Sequence, residues 1–187
     1  MSTAFQLRRA ADVLRAGGVV AYPTEGVYGL GCDPLDPVAV LRLLALKGRP
    51  LHKGLILIAA DHEALHPYMG TLEPSLWRRL RRSWPGPVTW LVPAAPQVPF
   101  WLRGAHDTIA LRVTAHPLAA ALCRAWGGAL VSTSANPTGR PPARTALQVR
   151  RYFGDAVDLV LAGATGGLGA PTQIRDARSG RIVRPGG

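Results

Sequence analysis

A chain of 187 residues with 48% hydrophobic and 18% charged residues has the composition of a globular protein, which excludes an intrinsically disordered one. The formal net charge of +11 indicates a phosphate-rich partner, either a nucleotide or RNA, although an arginine-rich proteome would produce the same excess. The sequence shows no signal-peptide pattern and no apolar run of the roughly 18 residues that a membrane span requires. We therefore expect a cytoplasmic protein without membrane contact.

The two cysteines, Cys32 and Cys123, lie far apart in the chain and lack the spacing of metal ligands. They are typical of a protein kept in a reducing compartment, not of a disulfide scaffold. There is no internal repeat, linker or shift in composition, so residues 1–187 are predicted to form a single domain.

The first elements lead to a glycine-rich loop and a cationic turn. Residues 4–16 have the apolar spacing of a helix, residues 19–22 form an apolar strand, and the loop 23–33 contains three glycines, which permit close approach of backbone to a ligand. Asp36 and Pro37 then predict the start of a helix over 38–46. Three cations follow it, at Lys47, Arg49 and Lys53. Such a cluster favours a polyanionic ligand such as a nucleotide triphosphate; a surface hairpin with solvated charges is the alternative.

The middle of the chain alternates between strands and helices. Residues 55–58 are apolar throughout, which predicts a strand in a sheet covered on both faces. Residues 61–69 and 73–84 are predicted helices, and 88–92 is a predicted strand. Four arginines in the second helix, at positions 78, 79, 81 and 82, indicate either a solvated helix face or a patch that contacts RNA.

A charged residue lies inside the next predicted strand, residues 108–113. Period-two alternation places Thr108, Ala110 and Arg112 on one face of this strand. A buried arginine is costly unless it meets an anion. The partner of Arg112 is therefore predicted to be either a ligand carboxylate or phosphate, or an internal aspartate or glutamate.

The last third of the chain adds a second group of candidate ligands. A helix over 118–126 precedes a strand at 129–131, and this strand ends in the hydroxyl-rich run from Ser132 to Asn136. Such short polar groups at a strand's end can bind phosphate oxygens or a ribose, although hydroxyl-rich turns are also common without a ligand. A helix over 144–153 and a strand over 157–161 follow. The glycine-rich residues 163–176 predict a mobile segment able to fold over a ligand, and 181–184 a last strand.

Several familiar catalytic patterns are absent from the sequence. It contains no cluster of metal ligands, no Gly-x-Ser-x-Gly elbow, and neither of the common glycine-rich nucleotide loops. His52 lies in the cationic turn and is the histidine that we expect nearest a ligand. Cations and hydroxyls without paired carboxylates favour chemistry by positioning and charge neutralisation, as in nucleotidyl transfer.

Taken together, these motifs resemble the YrdC/TsaC family along nearly the whole chain. The resemblance depends on the order and spacing of Tyr22-Pro23-Thr24-Glu25, Tyr28-Gly29-Leu30-Gly31, Lys47-Gly48-Arg49-Pro50, Ser132-Thr133-Ser134-Ala135-Asn136 and Pro171-Thr172-Gln173-Ile174. The short length is similar to that of the bacterial single-domain members. The resemblance implies an α/β fold, a twisted open mixed sheet with helices on its faces and a deep basic cavity.

The resemblance also implies an activity. Members of the family condense L-threonine, bicarbonate or CO₂, and ATP into L-threonylcarbamoyl-AMP and release pyrophosphate, with Mg²⁺ held mainly by the triphosphate. Partner proteins then transfer the threonylcarbamoyl group to an adenosine of tRNA. By motif, the implied ATP-binding residues are Lys47, Arg49, Lys53, Thr108, Ser134, Asn136, Pro142 and Arg184, with Lys47 and Arg49 catalytic. The implied threonine-binding residues are Thr24, Tyr28, Arg112, Ser132 and Thr172.

Three positions depart from the family pattern: Gly26 replaces a commoner threonine, Lys53 an asparagine, and Ile58 a histidine. All three are expected near the threonine or phosphate pocket. Two other functions remain open on the sequence alone. One is a non-catalytic module that binds double-stranded RNA or tRNA. The other is a carbamoyl-adenylating domain of the hydrogenase-maturation type, although those domains occur in long chains with zinc-finger-like cysteines.

Overall fold

The computed structural model describes residues 2–186, and within them nine strands form one sheet flanked by six α-helices. The helices are α1 (Thr3–Arg15), α2 (Pro37–Lys47), α3 (Pro74–Arg81), α4 (Phe100–Arg103), α5 (Pro117–Trp126) and α6 (Ala146–Phe153). The strands are β1 (Val20–Pro23), β2 (Tyr28–Gly31), β3 (Ile56–Ala59), β4 (Val88–Pro93), β5 (Thr108–Val113), β6 (Leu130–Ser134), β7 (Leu159–Val160), β8 (Gln173–Asp176) and β9 (Ile182–Arg184).

The order of the strands across the sheet is β7-β1-β2-β6-β3-β5-β4-β8-β9. The pairs β1–β7, β3–β5 and β4–β8 are parallel, and the other neighbours are antiparallel. The sheet is therefore mixed, which confirms the predicted fold class.

Helix α2, which leads to the cationic turn, begins where the sequence predicts. The Oδ1 atom of Asp36 accepts hydrogen bonds from the backbone N–H groups of Val38 at 2.9 Å and Ala39 at 3.2 Å. Pro37 occupies the first turn, where its missing N–H has no helical partner to lose. Leu43 and Lys47 are both buried, so the apolar side of α2 packs against the sheet and its last turn brings a lysine into the interior.

Adjacent residues of β3 enter two different apolar clusters. Leu57 packs with Leu43 and Leu111, whereas Ile58 packs with Tyr22 and Leu122. Because successive side chains of a strand point to opposite faces, one cluster lies on each side of the sheet. This confirms the prediction that the apolar strand is covered on both faces.

Two strands lie where the sequence predicted irregular structure. Strand β2 falls inside the predicted glycine loop, and β8 falls inside the segment predicted to be mobile. A Cβ added to Gly31 would lie 2.5 Å from the carbonyl oxygen of Val131. Glycine therefore allows β2 to fit between β1 and β6, and the glycines here mark close strand packing and not a loop.

Smaller differences concern the lengths and types of elements. Residues 61–69 contain a 3₁₀ helix, Glu63–Tyr68, instead of an α-helix, because the internal Pro67 has no N–H to donate. Both cysteines are buried and unpaired. Among the described helices, none combines the length and the apolar character needed to cross a membrane.

Candidate functional site

A cavity of about 270 Å³ opens beside strands β2, β3, β5 and β6. Its wall contains backbone and side chains from the glycine loop, the cationic turn and the segment before β8. Ten residues that the sequence analysis assigned to a site line this cavity: Thr24, Tyr28, Arg49, Lys53, Thr108, Arg112, Ser132, Ser134, Thr172 and Arg184. Widely separated stretches of sequence are thus brought together in one chamber.

Strand β5 presents one face to the cavity. Thr108, Ala110 and Arg112 all line it, while the intervening Ile109 and Leu111 are buried in the core. The alternation predicted for this strand is confirmed. As a result, a guanidinium group reaches the cavity from the middle of the sheet, where little water competes for its hydrogen bonds.

The guanidinium of Arg112 contacts two side chains, and its Nε–H is buried without a hydrogen-bond acceptor. The residue is 4% exposed; its Nη1 donates to Oγ1 of Thr172, and its Nη2 lies 3.3 Å from Oε2 of Glu25. The Nε–H has no hydrogen-bond acceptor. Of the two predicted kinds of partner for Arg112, the structure therefore contains the internal carboxylate, Glu25.

Glu25 is fixed from the opposite side by strand β5 and the residues after it. Its Oε1 accepts hydrogen bonds from the hydroxyl of Thr114 at 2.8 Å and from the backbone N–H of Ala115 at 3.1 Å. The carboxylate is 7% exposed as a residue and does not line the cavity. It lies behind Arg112, and the sequence analysis did not single it out.

Positive charge is concentrated around the remainder of the cavity. Arg49, Lys53, Arg103 and Arg184 line it together with Arg112, and within residues 2–186 no carboxylate side chain belongs to the lining. Burial lowers the pKa of Arg49. Withdrawal from water, together with the charges of Arg112 and Arg49, lowers the pKa of Arg184. A chamber in which neighbouring cations lower the pKa of Arg184 is a strong site for an anion.

Lys47 is next to the cavity but does not line it. The residue is 4% exposed, and its Nζ donates to the carbonyl oxygens of Ser134 and Asn136, the second at 2.8 Å. Burial and the neighbouring Arg49 lower the pKa of Lys47 to about 8. In this structure the ammonium group supports the end of β6 and the loop after it, and Ser134, the last residue of β6, lines the cavity.

Other assigned residues also lie outside the lining. Asn136 and Pro142 are absent from it, and His52 is exposed on the surface. The amide of Asn136 donates to the carbonyl oxygen of Arg140 at 2.7 Å, so this side chain shapes the loop. Arg103 and His106 line the cavity although the sequence analysis passed over them. Arg103 ends α4 and His106 lies in the connection to β5, and no sequence motif linked this part of the chain to the cationic turn.

The three departures from the family pattern fall in different environments. Lys53 lines the cavity. Ile58 is 0% exposed and belongs to the apolar cluster on one face of the sheet. It does not line the cavity, although it is paired in register with Arg112, which does. A Cβ added to Gly26 would overlap the carbonyl oxygen of Ala170. Gly26 therefore allows the segment before β8 to lie directly on the glycine loop.

That segment, residues 163–172, is bonded to the loop along its length. The backbone N–H of Gly166 donates to the carbonyl oxygen of Thr24 at 3.0 Å, and that of Leu168 to the carbonyl oxygen of Glu25 at 3.1 Å. The hydroxyl of Tyr28 donates to the carbonyl oxygen of Gly163 at 2.6 Å. The segment predicted to be mobile is thus packed against the site and carries Thr172 to Arg112.

The chain matches known proteins over nearly its whole length. The family model for Sua5, YciO and YrdC, described as "Telomere recombination", matches residues 12–186. The chain is 59% identical over 180 residues to a threonylcarbamoyl-AMP synthase of Nitrosococcus oceani, covering 96% of this chain and 97% of the relative. It is 58% identical over 180 residues to the protein of the same name from Halorhodospira halophila, covering 96% and 94%.

A solved structure shares the fold. The crystal structure of P. abyssi Sua5 complexed with L-threonine superposes with a TM-score of 0.92 at 34% sequence identity, over 98% of this chain. The match spans 54% of the Sua5 chain, so this chain is about half as long as that protein. On the family match and on the identity to full-length relatives, the chain belongs to the Sua5/YciO/YrdC family.

Proposed function

We propose that this chain is a threonylcarbamoyl-AMP synthase, which joins L-threonine, bicarbonate and ATP into L-threonylcarbamoyl-AMP and releases pyrophosphate. The observation that carries the proposal is the single cavity in which the Arg112 site and a cluster of further cations meet. Relatives more than half identical along their whole length have this activity as their name, and a solved relative binds L-threonine.

The amino-acid half of the cavity is built around Arg112. The guanidinium of Arg112, a residue that lines the cavity, pairs with the α-carboxylate of threonine. Thr24, Tyr28, Ser132 and Thr172 complete this half, since all four residues line the same cavity. A charge-assisted hydrogen bond of this kind contributes about 1.5–3 kcal/mol.

The nucleotide half takes the triphosphate. Arg49, Lys53 and Arg184 supply the charge, Thr108 and Ser134 supply hydroxyl donors, and Lys47, Asn136 and Pro142 hold the loop that bears Ser134. Mg²⁺ is proposed to bind mainly to the triphosphate oxygens. This fits the absence of a carboxylate from the cavity lining and of any group of three or more metal-ligating side chains within residues 2–186.

The reaction requires positioning and no covalent nucleophile. Bicarbonate first takes up a proton and loses water to give CO₂. The uncharged amine of threonine then attacks CO₂, the proton displaced from the nitrogen passes to solvent, and a carbamate forms. A carbamate oxygen then attacks the α-phosphorus of ATP, and the bond to the leaving pyrophosphate breaks. The two reacting anions repel each other in water, so the cations of the cavity lower the barrier by neutralising them, and the covered site protects the labile carbamate from water.

A contact between the protein and tRNA is the next part of the proposal. Arg78, Arg81 and Arg82 are exposed on α3. The Nη1 of Arg79 donates to the carbonyl oxygen of Arg178 at 2.8 Å, which ties this helix to the β8–β9 hairpin whose Arg184 borders the cavity. We propose that tRNA docks on this basic face and that partner proteins transfer the threonylcarbamoyl group to it.

The direct test is incubation of the purified protein with ATP, labelled bicarbonate and single amino acids, with the adenylate identified by mass. The proposal predicts a labelled adenylate and one pyrophosphate for each turnover with L-threonine. Formation of AMP without a threonine-containing adenylate, or no consumption of ATP, would refute it. An RNA-binding module without catalysis would consume no ATP but would still bind RNA.

A further inference from the structure

Behind the cavity lies a buried carboxylate that the proposed reaction does not use. Glu25 has one oxygen, Oε1, that accepts from Thr114 and from the backbone of Ala115. Its other oxygen, Oε2, accepts no hydrogen bond although it is fully buried, and it lies 3.3 Å from Nη2 of Arg112. The carboxylate is thus held by β5 and its continuation and is directed at one cation.

We infer that Glu25 is a positioning residue for the amino-acid half of the cavity: it orients Arg112 and balances its charge, so that the site selects a zwitterionic amino acid over a simple inorganic anion. This inference rests on the proposed function for the identity of the amino acid.

The orienting role follows from the bonds of the guanidinium. Thr172 binds Nη1 and Glu25 faces Nη2, and these two contacts together fix the plane of a guanidinium whose residue lines the cavity. A guanidinium presents its donors in a rigid planar fork, so a carboxylate can bind well only when that plane is fixed. Supporting residues of this kind commonly change affinity as strongly as residues that touch the ligand.

The selective role follows from charge. The cavity already contains Arg49, Lys53, Arg103 and Arg184, so an uncompensated Arg112 would add to a potential that favours any anion. A zwitterion also carries an ammonium group, which that potential repels. The carboxylate of Glu25 behind Arg112 offsets the charge of that guanidinium. The amino-acid half of the cavity therefore disfavours a zwitterion, relative to sulfate or phosphate, less than it would with an uncompensated arginine.

The test is Glu25→Gln, which keeps the size of the side chain and removes its charge. Calorimetry measures binding of L-threonine and of sulfate to the free protein. The affinity for threonine relative to sulfate is expected to fall by at least about tenfold, within the range of coupling between contacting residues. Affinity for ATP is expected to stay within about twofold. The surface variant Glu63→Gln, which alters an exposed carboxylate, is the matched control and leaves both values unchanged.

If Glu25 had a purely structural role, Glu25→Gln would weaken the binding of threonine and of sulfate by the same factor. An unchanged ratio of these two affinities overturns the inference. If Glu25→Gln does not fold, Thr114→Val removes one donor to Oε1 and keeps the charge. It is then expected to weaken threonine binding several-fold without affecting ATP, and unchanged threonine binding overturns the inference. The proposed function fails separately, if the wild-type protein binds threonine but forms no adenylate.

Discussion

The ammonium group of Lys47 lies 2.8 Å from the carbonyl oxygen of Asn136, at the end of α2, and also donates to the carbonyl oxygen of Ser134. Thr138 closes the same loop, because its backbone N–H donates to the carbonyl oxygen of Lys47 at 2.8 Å. Two segments far apart in sequence are thereby locked together. Their junction sets the position of Ser134 in the cavity wall.

Replacing Lys47 with methionine removes the donor from these carbonyl groups and releases the loop. We expect pyrophosphate release from ATP, threonine and bicarbonate to fall at least about tenfold. If Lys47 acts through the loop, the double variant Lys47→Met with Asn136→Ala should show a smaller loss of turnover than the losses of the two single variants combined. The reason is that both changes disturb one hydrogen-bond network. Unchanged turnover in Lys47→Met would contradict the role of this residue.

Lys47 also makes the free energy of unfolding depend on pH. Its pKa is about 8 in the folded protein and 10.5 is its ordinary value, so between these limits the unfolded chain binds more protons. The contribution of Lys47 to the free energy of unfolding therefore rises with pH across this window, by on the order of 3 kcal/mol in full.

The measurement is urea unfolding at pH 8, 9 and 10 for the wild type and for Lys47→Met. The difference between the two proteins is the quantity to follow, since burial raises the pKa of Cys32 and Cys123 and makes their contribution fall with pH. If the free energy of unfolding of the wild type rises relative to that of Lys47→Met as the pH increases, the lowered pKa of Lys47 is supported. A difference that stays constant over this range contradicts it.

Gly26 lets the segment 163–172 lie on the glycine loop, and a side chain there is expected to displace it. In Gly26→Ala the new Cβ would overlap the carbonyl oxygen of Ala170. We expect a loss of about 1–3 kcal/mol in the free energy of unfolding, with weaker threonine binding because Thr172 moves. The matched control is Gly169→Ala, where an added Cβ meets nothing within 4 Å. Equal free energies of unfolding for Gly26→Ala and Gly169→Ala would contradict this prediction, because they would show that segment 163–172 can move away from a side chain at position 26 without cost.

Much of this site was predictable because its chemistry is local in sequence. The strand alternation placed Arg112 on the same face as Thr108, and the cationic turn gave Arg49 and Lys53. The partner of Arg112 was not predictable, because Glu25 lies far from Arg112 in the sequence and any aspartate or glutamate could have been its partner. The same holds for the hydrogen bond between Glu25 and Thr114, which are 89 positions apart. Strands β2 and β8 were missed for a related reason, since glycine signals a loop unless the neighbouring strands are known.

The basic face on α3 is expected to contact RNA by charge. Replacing both Arg81 and Arg82 with glutamine removes two exposed cations and is expected to reduce the slope of log affinity against log salt by about two. Adenylate synthesis should be unaffected, because neither residue lines the cavity. Replacing Arg8 and Arg9, exposed on α1, is the control with equal charge. The same loss of slope in both double variants would mean that the binding is not confined to one face.

The central claim is that one cavity holds a nucleotide and an amino acid on different cations. Calorimetric titration of ATP and of L-threonine into the wild type, Arg49→Ala and Arg112→Gln tests it most directly. We predict that Arg49→Ala weakens the binding of ATP at least about tenfold and leaves the affinity for threonine within about twofold of the wild type. Arg112→Gln is predicted to weaken the binding of threonine and to leave that of ATP within about twofold. Failure of the wild type to bind either ligand, or equal losses for both ligands in both variants, would contradict the account.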